Sequence, residues 1–210
     1  MRTITNKNGR NHIGNFPSLK MNNIIPWESR LERDYIYILE FEDAVRYFSA
    51  QPFTIYAQIN GKAHRYTPDF LVKKNTETLV VEVKNEKNVV QKDTKLQIAI
   101  GTAYCQANDM TFKLVTEAIR EGSYLNNIKM LTRYSRQGVS LYHMHNVFTC
   151  ISKNKTMSIN ELFALMNEKY PNENWLAIIY CMIYKKNLKV DLMVPLSGKS
   201  VITGGQFENG

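Results

Sequence analysis

Two apolar runs joined by a short turn, residues 66–84, constrain the fold of this chain more than any other feature. The first run follows Pro68 and Asp69, and the second ends in Glu82-Val83-Lys84. Side chains alternate between the faces of a strand, so Glu82 and Lys84 point the same way and Val83 points the other way. If the two runs pair as a hairpin, Asp69 reaches the same end of the sheet. The sequence therefore predicts two carboxylates and one ammonium group at a single point.

This set of charged groups suits a particular chemistry. Mg²⁺ prefers carboxylate oxygens in near-octahedral geometry, and phosphodiester hydrolysis uses such a metal with a cation near the attacking water. Asp69, Glu82 and Lys84 follow the pattern of the PD-(D/E)xK nucleases. A solvated edge strand with an exposed ion pair has the same short pattern, so the rest of the chain must decide between the two interpretations.

The composition is typical of a globular protein with a polyanionic partner. Hydrophobic residues make up 44% and charged residues 22% of the 210 residues, and the net charge is +8. Residues 1–27 carry four positive charges, on Arg2, Lys7, Arg10 and Lys20, and no acidic residue. Because residues 1–23 also lack an apolar period, we predict a flexible basic arm that gains order on DNA or on a protein partner.

Several other classes of protein find no support in the sequence. No apolar run approaches the roughly 18 residues that a membrane helix needs, the N-terminus lacks the apolar core of a signal peptide, and no glycine-rich phosphate loop is present. Cys105, Cys150 and Cys181 are far apart in apolar stretches. We interpret them as buried thiols of a reducing cytosol rather than as disulfides or zinc ligands.

The periodicity of apolar residues predicts an α/β unit with a mixed sheet up to about residue 137. A helix is expected from Trp27 to Leu39, strands at 52–60, 64–73, 79–84 and 110–115, and further helices at 89–107 and 117–134. The strand at 64–73 would carry Asp69, and Asn60-Gly61 is a hairpin turn signal.

The pattern changes after Gly138. Helices are expected at 139–152, from Ser158 to about Tyr170, and at 174–186, followed by a β-hairpin over 188–203. The second of these helices starts with a capping box, Ser158 and Glu161. This order is typical of a winged helix-turn-helix, a module that places a helix in a DNA groove. Because the helix at 174–186 is strongly apolar, protein binding and DNA binding stay equally open.

Four segments in this order resemble TnsA, the endonuclease subunit of heteromeric cut-and-paste transposases. They are WESRLERD at 27–34, QPF at 51–53, YTPDF at 66–70 and EVK at 82–84. The resemblance covers residues from about 14 to 136, and the lead-in FPSLKM at 16–21 is most similar to the CRISPR-associated branch of the family.

The resemblance implies an α/β fold like that of restriction endonucleases, with a mixed sheet flanked by helices and a C-terminal winged-helix-like domain. It divides the chain into the arm at 1–23, a nuclease domain at 24–137 and the C-terminal domain at 138–210. It places the family's helix acid at Glu32, its sheet ligands at Asp69 and Glu82, and its lysine at Lys84. These three carboxylates and the backbone carbonyl of Val83 would hold Mg²⁺, for which Mn²⁺ would substitute. We interpret Glu28 as an acid that complements the helix dipole in the first turn.

The implied function is cleavage of the 5′ strands at transposon ends in a bacterial cytoplasm, with no membrane partner. The implied partners are double-stranded DNA at transposon ends, a TnsB-like DDE transposase that cuts and joins the 3′ ends, and a TnsC-like AAA+ ATPase. Two alternatives stay open: a stand-alone restriction or repair nuclease, and a non-catalytic DNA-binding assembly subunit.

Overall fold

The computed structural model describes residues 13–154 and 156–204. These residues form two compact units that divide after Ile119. Within the described residues, no helix has both the length and the apolar character needed to cross a membrane. Cys105, Cys150 and Cys181 are buried and are in no disulfide, as the sequence predicted.

The first unit is a mixed α/β structure. Its elements are β1 (Gly14–Ser18), β2 (Asn23–Trp27), α1 (Arg30–Phe41), β3 (Val45–Ala50), β4 (Ile55–Ile59), β5 (Lys62–Tyr66), β6 (Phe70–Lys74), β7 (Thr78–Val83), α2 (Glu86–Val89), α3 (Lys92–Ala107) and β8 (Thr111–Val115). A short 3₁₀ helix (Glu117–Arg120) follows.

The central sheet has the strand order β3-β6-β7-β8. The first three strands are antiparallel, and β8 runs parallel to β7. The last five residues of β7 are buried, which is typical of a strand covered on both faces. The predicted α/β class with a mixed sheet flanked by helices is thus confirmed. The hairpins β1–β2 and β4–β5 pair separately from this sheet.

The strand predicted at 64–73 is wrong, because it is two strands in two different sheets. The chain leaves β5 at Tyr66 and enters β6 at Phe70. Pro68 lies between them, and a proline cannot donate a ladder hydrogen bond. Asp69 therefore belongs to the connection just before β6.

The predicted flexible arm is wrong for residues 13–23, while residues 1–12 lie outside the described residues. Residues 14–27 form the β1–β2 hairpin. The buried carboxylate of Glu40 accepts hydrogen bonds from the Ser18 hydroxyl and from the backbone N–H groups of Leu19 and Lys20. The Lys20 ammonium donates to the carbonyls of Leu39 and Glu42 at the end of α1, where cations are favoured. Contacts with α1 order this segment, and a search for internal periodicity misses such contacts.

The first helix begins later than predicted. Ser29 is the N-cap of α1 and its side chain accepts a hydrogen bond from the Glu32 N–H, as a helix start prefers. Glu28 therefore precedes the helix, and its interpretation as a first-turn acid is wrong. The helix predicted at 117–134 is also interrupted, because Gly122 adopts a left-handed backbone with φ of +69°.

The second unit contains α4 (Tyr124–Thr132), α5 (Leu141–Asn154), β9 (Met157–Ser158), α6 (Ile159–Lys169), α7 (Trp175–Tyr184), β10 (Leu188–Val190) and β11 (Val201–Gly204). The strands form a small antiparallel sheet in the order β10-β11-β9. The three expected helices, the hairpin and the capping box at Ser158 are present. Assignment of this unit to the winged-helix class stays a prediction.

The boundary between the units lies before α4 rather than at residue 137. Leu125, Ile128 and Leu131 of α4 are buried, and this helix packs against α7. The Asn127 side chain donates to the carbonyls of Leu192 and Val194 at 2.8 and 2.7 Å. These contacts assign α4 to the second unit.

Candidate active site

The pairing of β6 with β7 brings the predicted site residues together. The two strands are antiparallel with Phe70 opposite Val81, which confirms the predicted pairing of the two apolar runs. Asp69 precedes Phe70 by one residue, and its Oδ2 accepts a hydrogen bond of 2.7 Å from the Val83 N–H. Asp69 therefore lies beside the end of β7 that carries Glu82 and Lys84.

Glu82 is a buried carboxylate with a charged partner and a neutral partner. Glu82 is only 1% exposed. The Lys84 Nζ lies 2.7 Å from its Oε1, and the Tyr66 hydroxyl donates a 2.7 Å hydrogen bond to its Oε2. The ion pair confirms that Glu82 and Lys84 point to the same side of β7.

Glu32 approaches from the first turn of α1. Its Oε2 accepts a 2.7 Å hydrogen bond from the Glu28 N–H, so the side chain reaches back past the N-cap, Ser29, to the residue before the helix. The Glu28 side chain points to another partner, because its Oε1 accepts a 2.8 Å hydrogen bond from the Gln51 amide. Glu32 thus has a structural contact in addition to its predicted place at the metal.

Gln51 connects this helix start to Asp69. Its backbone N–H donates to the Asp69 carbonyl at 2.9 Å, while its side chain donates to Glu28. Its φ of +45° is in the left-handed region, which is uncommon for a residue other than glycine. Gln51 and Tyr66 lie in the segments 51–53 and 66–70 that resemble TnsA, but neither was predicted as a site residue. Their roles depend on contacts between distant segments.

The carboxyl groups of the site influence one another's ionisation. Burial, and then repulsion from Glu82 and Glu32, raises the pKa of Asp69 well above its ordinary value. Burial also raises the pKa of Glu32. Burial acts to lower the pKa of Lys84, but Glu82, Asp69 and Glu32 together outweigh it, and the pKa is raised. The three carboxyl groups therefore resist being ionised together beside a single ammonium group, and a further cation would favour their charged forms.

The described residues include no cluster of three or more His, Cys, Asp or Glu side chains arranged to hold a metal ion. Mg²⁺ does not require such a cluster, because proteins usually bind it through one or two carboxylates, waters and substrate phosphates. Asp69 and Glu82 supply oxygen ligands of this kind, and a cation bound between them would offset the repulsion among the neighbouring carboxyl groups. The residues present therefore fit a divalent cation that is completed by water and substrate.

Access to the site comes from the partly exposed residues. Glu82 is buried, whereas Asp69, Glu32 and Lys84 are each half-buried, so the exposed part of the site belongs to these three residues. The Lys84 side chain is 28% exposed, so its ammonium group is the part of the site that a phosphate group in solvent can contact. The arrangement can bind a cation on its carboxylate side and stabilise negative charge on its ammonium side.

Comparison with known families assigns to a recognised domain the segment that carries three of the four predicted site residues. Residues 42–117 match the family described as TnsA-like endonuclease N terminal. The matched segment contains Asp69, Glu82 and Lys84 and begins after Glu32. The mixed sheet fits a restriction-endonuclease-like fold. The chain matches no curated protein.

Proposed function

We propose that this chain, which carries a TnsA-like endonuclease domain at residues 42–117, is a metal-dependent DNA endonuclease of cut-and-paste transposition. In this role it cuts the 5′ strands at the ends of the element while a TnsB-like DDE transposase acts on the 3′ strands. The convergence of Asp69, Glu82 and Lys84 inside the family match carries the proposal. Membership in the CRISPR-associated branch stays a prediction.

The proposed site residues divide the work between them. Asp69, Glu82 and the Val83 carbonyl would hold Mg²⁺, with Glu32 closing the site from α1. The bound cation supplies a more acidic water and a counter-charge for the phosphate. Tyr66 and Lys84 fix both oxygens of Glu82, so its orientation is set before DNA binds. The Lys84 ammonium offsets negative charge that develops on the phosphate and positions the attacking water. The expected products carry 5′-phosphate and 3′-hydroxyl groups.

For α7 of the second unit we propose a place in the core of that unit rather than in a DNA groove. Its segment Trp175–Tyr184 has no charged side chain, and Trp175, Ile178, Ile179 and Met182 are at most 1% exposed. A helix that reads DNA needs polar side chains directed at bases or phosphates. These features support a packing role for α7.

Cleavage of end-containing DNA tests the function. The full chain is incubated with labelled transposon-end duplex and Mg²⁺, with and without its cognate transposase, and the cut positions on both strands are mapped. We expect 5′-strand cuts at the element ends that depend on the transposase and on Mg²⁺ or Mn²⁺. Efficient cutting without the transposase would favour a stand-alone nuclease, and no cutting under any condition would favour a non-catalytic assembly subunit.

Cation binding can be measured without activity. A cation bound only by the folded chain stabilises it by RT ln(1 + [L]/Kd), which is about 1.4 kcal/mol at ten times Kd. We expect Mg²⁺ to raise the melting temperature of the wild type and to raise that of Asp69→Asn much less. Equal responses of the two proteins would remove Asp69 from the proposed metal site.

A further inference from the structure

The β4–β5 hairpin has one packed face and one open face. On the packed face, Ile55 and Tyr66 form a cluster with Ile100 of α3. On the open face, Tyr56 lies opposite Arg65 and Gln58 lies opposite Ala63, and all four residues are exposed. Tyr56 is 77% exposed, so this ring gains nothing from the protein core.

The open face carries the residue types that bind phosphate. Arginine, lysine, threonine, glutamine and tyrosine side chains supply most contacts to phosphate oxygens in protein–DNA complexes. The chain contains no acidic residue between Asp43 and Asp69, so no neighbour in sequence neutralises Lys62 at the hairpin tip or Arg65 on the open face. Among the residues that the structure describes, no ion pair joins Lys62 or Arg65 to an acid, so the hairpin presents positive charge to solvent.

The hairpin is also held in one shape. Asn60 and Gly61 at its turn have φ of +49° and +73°, the signs that a type I′ turn requires. At its base, the hydroxyls of Thr54 and Thr67 lie 2.9 Å apart and share a hydrogen bond. Binding to a preformed surface loses less conformational entropy than binding to a mobile loop.

The position of the hairpin connects it to the candidate active site. Arg65 precedes Asp69 by four residues, which spans at most about 13 Å of extended chain. That length equals about four nucleotide steps of 3.4 Å along a duplex. From these observations we propose that the open face of the β4–β5 hairpin binds the phosphate backbone of duplex DNA and guides a strand toward Asp69. This inference rests on the proposed function and adds the surface that holds its substrate.

Salt dependence of DNA binding tests the inference. The double variant K62Q/R65Q removes two positive charges from the hairpin. The matched control R46Q/K73Q removes two charges from exposed residues near the β6–β7 turn, where Arg46 donates to Asn75 and Lys73 lies over the Tyr47 ring. Lys73 follows Asp69 by four residues, whereas Arg65 precedes it by four. The control charge is therefore as close to Asp69 in sequence as Arg65 is, but on its C-terminal side.

Binding of each full-length protein to a fluorescent transposon-end duplex is measured by anisotropy in EDTA between 50 and 300 mM salt. We expect K62Q/R65Q to lower the slope of log K against log salt by about 1.8 and to weaken binding on the order of 50-fold at 0.1 M salt. The control should keep the wild-type slope. Melting curves establish folding, and R65Q alone, with an expected slope change of about 0.9, replaces the double variant if that variant unfolds.

The two proposals fail in different ways. If the wild type binds duplex with a salt-dependent affinity and the hairpin variant has the same slope as R46Q/K73Q, the hairpin inference is overturned and the nuclease proposal stands. If the wild type binds no duplex at any salt concentration and cuts none with its partner, both are overturned.

Discussion

Glu82 combines burial, charge and two fixed partners, and its geometry depends on neighbours that do not take part in metal binding. A buried carboxylate that loses a hydrogen-bond donor keeps its desolvation cost without the compensating bond. The Tyr66 hydroxyl is such a donor, and burial followed by repulsion from Glu82 raises the pKa of Tyr66 strongly. Tyr66 therefore acts as a neutral donor that positions Glu82.

We expect Tyr66→Phe to slow cleavage about tenfold, a barrier increase of about 1.4 kcal/mol, because Glu82 loses its fixed orientation. The rate at saturating DNA should fall, while DNA affinity should stay close to that of the wild type. Tyr104→Phe is the matched control, because Tyr104 packs in the same cluster without a contact to Glu82. Equal rates for both variants would show that Tyr66 does not position Glu82.

The two acids at the start of α1 should respond differently to the loss of charge. Glu32→Gln removes a carboxylate that couples to Asp69, whereas Glu28→Gln alters the contact with Gln51 and the repulsion between Glu28 and Glu32. We expect cleavage to fall at least about tenfold more in Glu32→Gln than in Glu28→Gln. Comparable losses of cleavage in the two variants, or a loss only in Glu28→Gln, would show that Glu32 was wrongly chosen as the acid of the site.

At the scale of single residues, the sequence predicts groups that share a local pattern. The two-residue period of a strand is enough to place Glu82 and Lys84 on one side, and the structure confirms this. The Tyr66 and Gln51 contacts join segments 16 and 23 residues apart. Such contacts depend on how β5 approaches β7 and how β3 ends beside the start of α1, which no local pattern contains.

Among the elements, α3 connects the hairpin to the central sheet by close packing. Gly101 of α3 faces Phe112 of β8, and an added Cβ would lie 3.1 Å from Tyr66 Cε1 and closer still to the Phe112 ring. A glycine inside a helix costs about 1 kcal/mol relative to alanine, so this glycine serves the close approach of the helix.

We expect Gly101→Ala to destabilise the protein by about 1–3 kcal/mol through overpacking, despite the better helix propensity of alanine. The free energy of unfolding from urea titration measures the effect. As a control, Ala103→Gly at an exposed position of α3 should cost about 1 kcal/mol through propensity alone. A stability gain in Gly101→Ala would show that the contact between α3 and Phe112 is loose.

The capping box of α6 predicts a pH-dependent contribution to stability. Hydrogen bonds from the Ser158 N–H, and then from its hydroxyl, hold the pKa of Glu161 below its ordinary value of 4.5. A lowered pKa in the folded state contributes stability above the unfolded-state pKa, and this contribution is lost as the pH falls through the folded-state pKa.

Glu161→Ala should therefore lower the melting temperature clearly at pH 7 and less at pH 3. Glu168→Ala removes an exposed acid near the other end of the same helix and serves as the control. If Glu161→Ala lowers the melting temperature equally at both pH values, the charge of the Glu161 carboxylate does not contribute to the cap.

Elements with a clear period or a cap could be predicted from the sequence, and those that depend on distant partners could not. α6 and β7 lie where the capping box and the buried apolar run place them. β3 was missed, because its only fully buried residues, Val45 and Phe48, do not alternate regularly, and its register shifts beside Tyr47. The β1–β2 hairpin was missed because α1 orders it.

In the whole molecule, the proposed activity belongs to the first unit. The family match, the four proposed site residues and the β4–β5 hairpin all lie before residue 120. In the second unit, α7 is apolar and largely buried, so it belongs to the core of that unit.

Cleavage by Asp69→Asn tests the central claim most directly. The variant removes one proposed metal ligand and keeps the size of the side chain, and Asp109→Asn is an exposed control outside the site. With transposon-end DNA, Mg²⁺ and the cognate transposase, we expect 5′-strand cleavage by Asp69→Asn to fall at least about 1000-fold, or about 4 kcal/mol in barrier. Asp109→Asn should cut like the wild type, and both variants should stay folded in a melting curve. Wild-type cleavage by folded Asp69→Asn would contradict the assignment of this site.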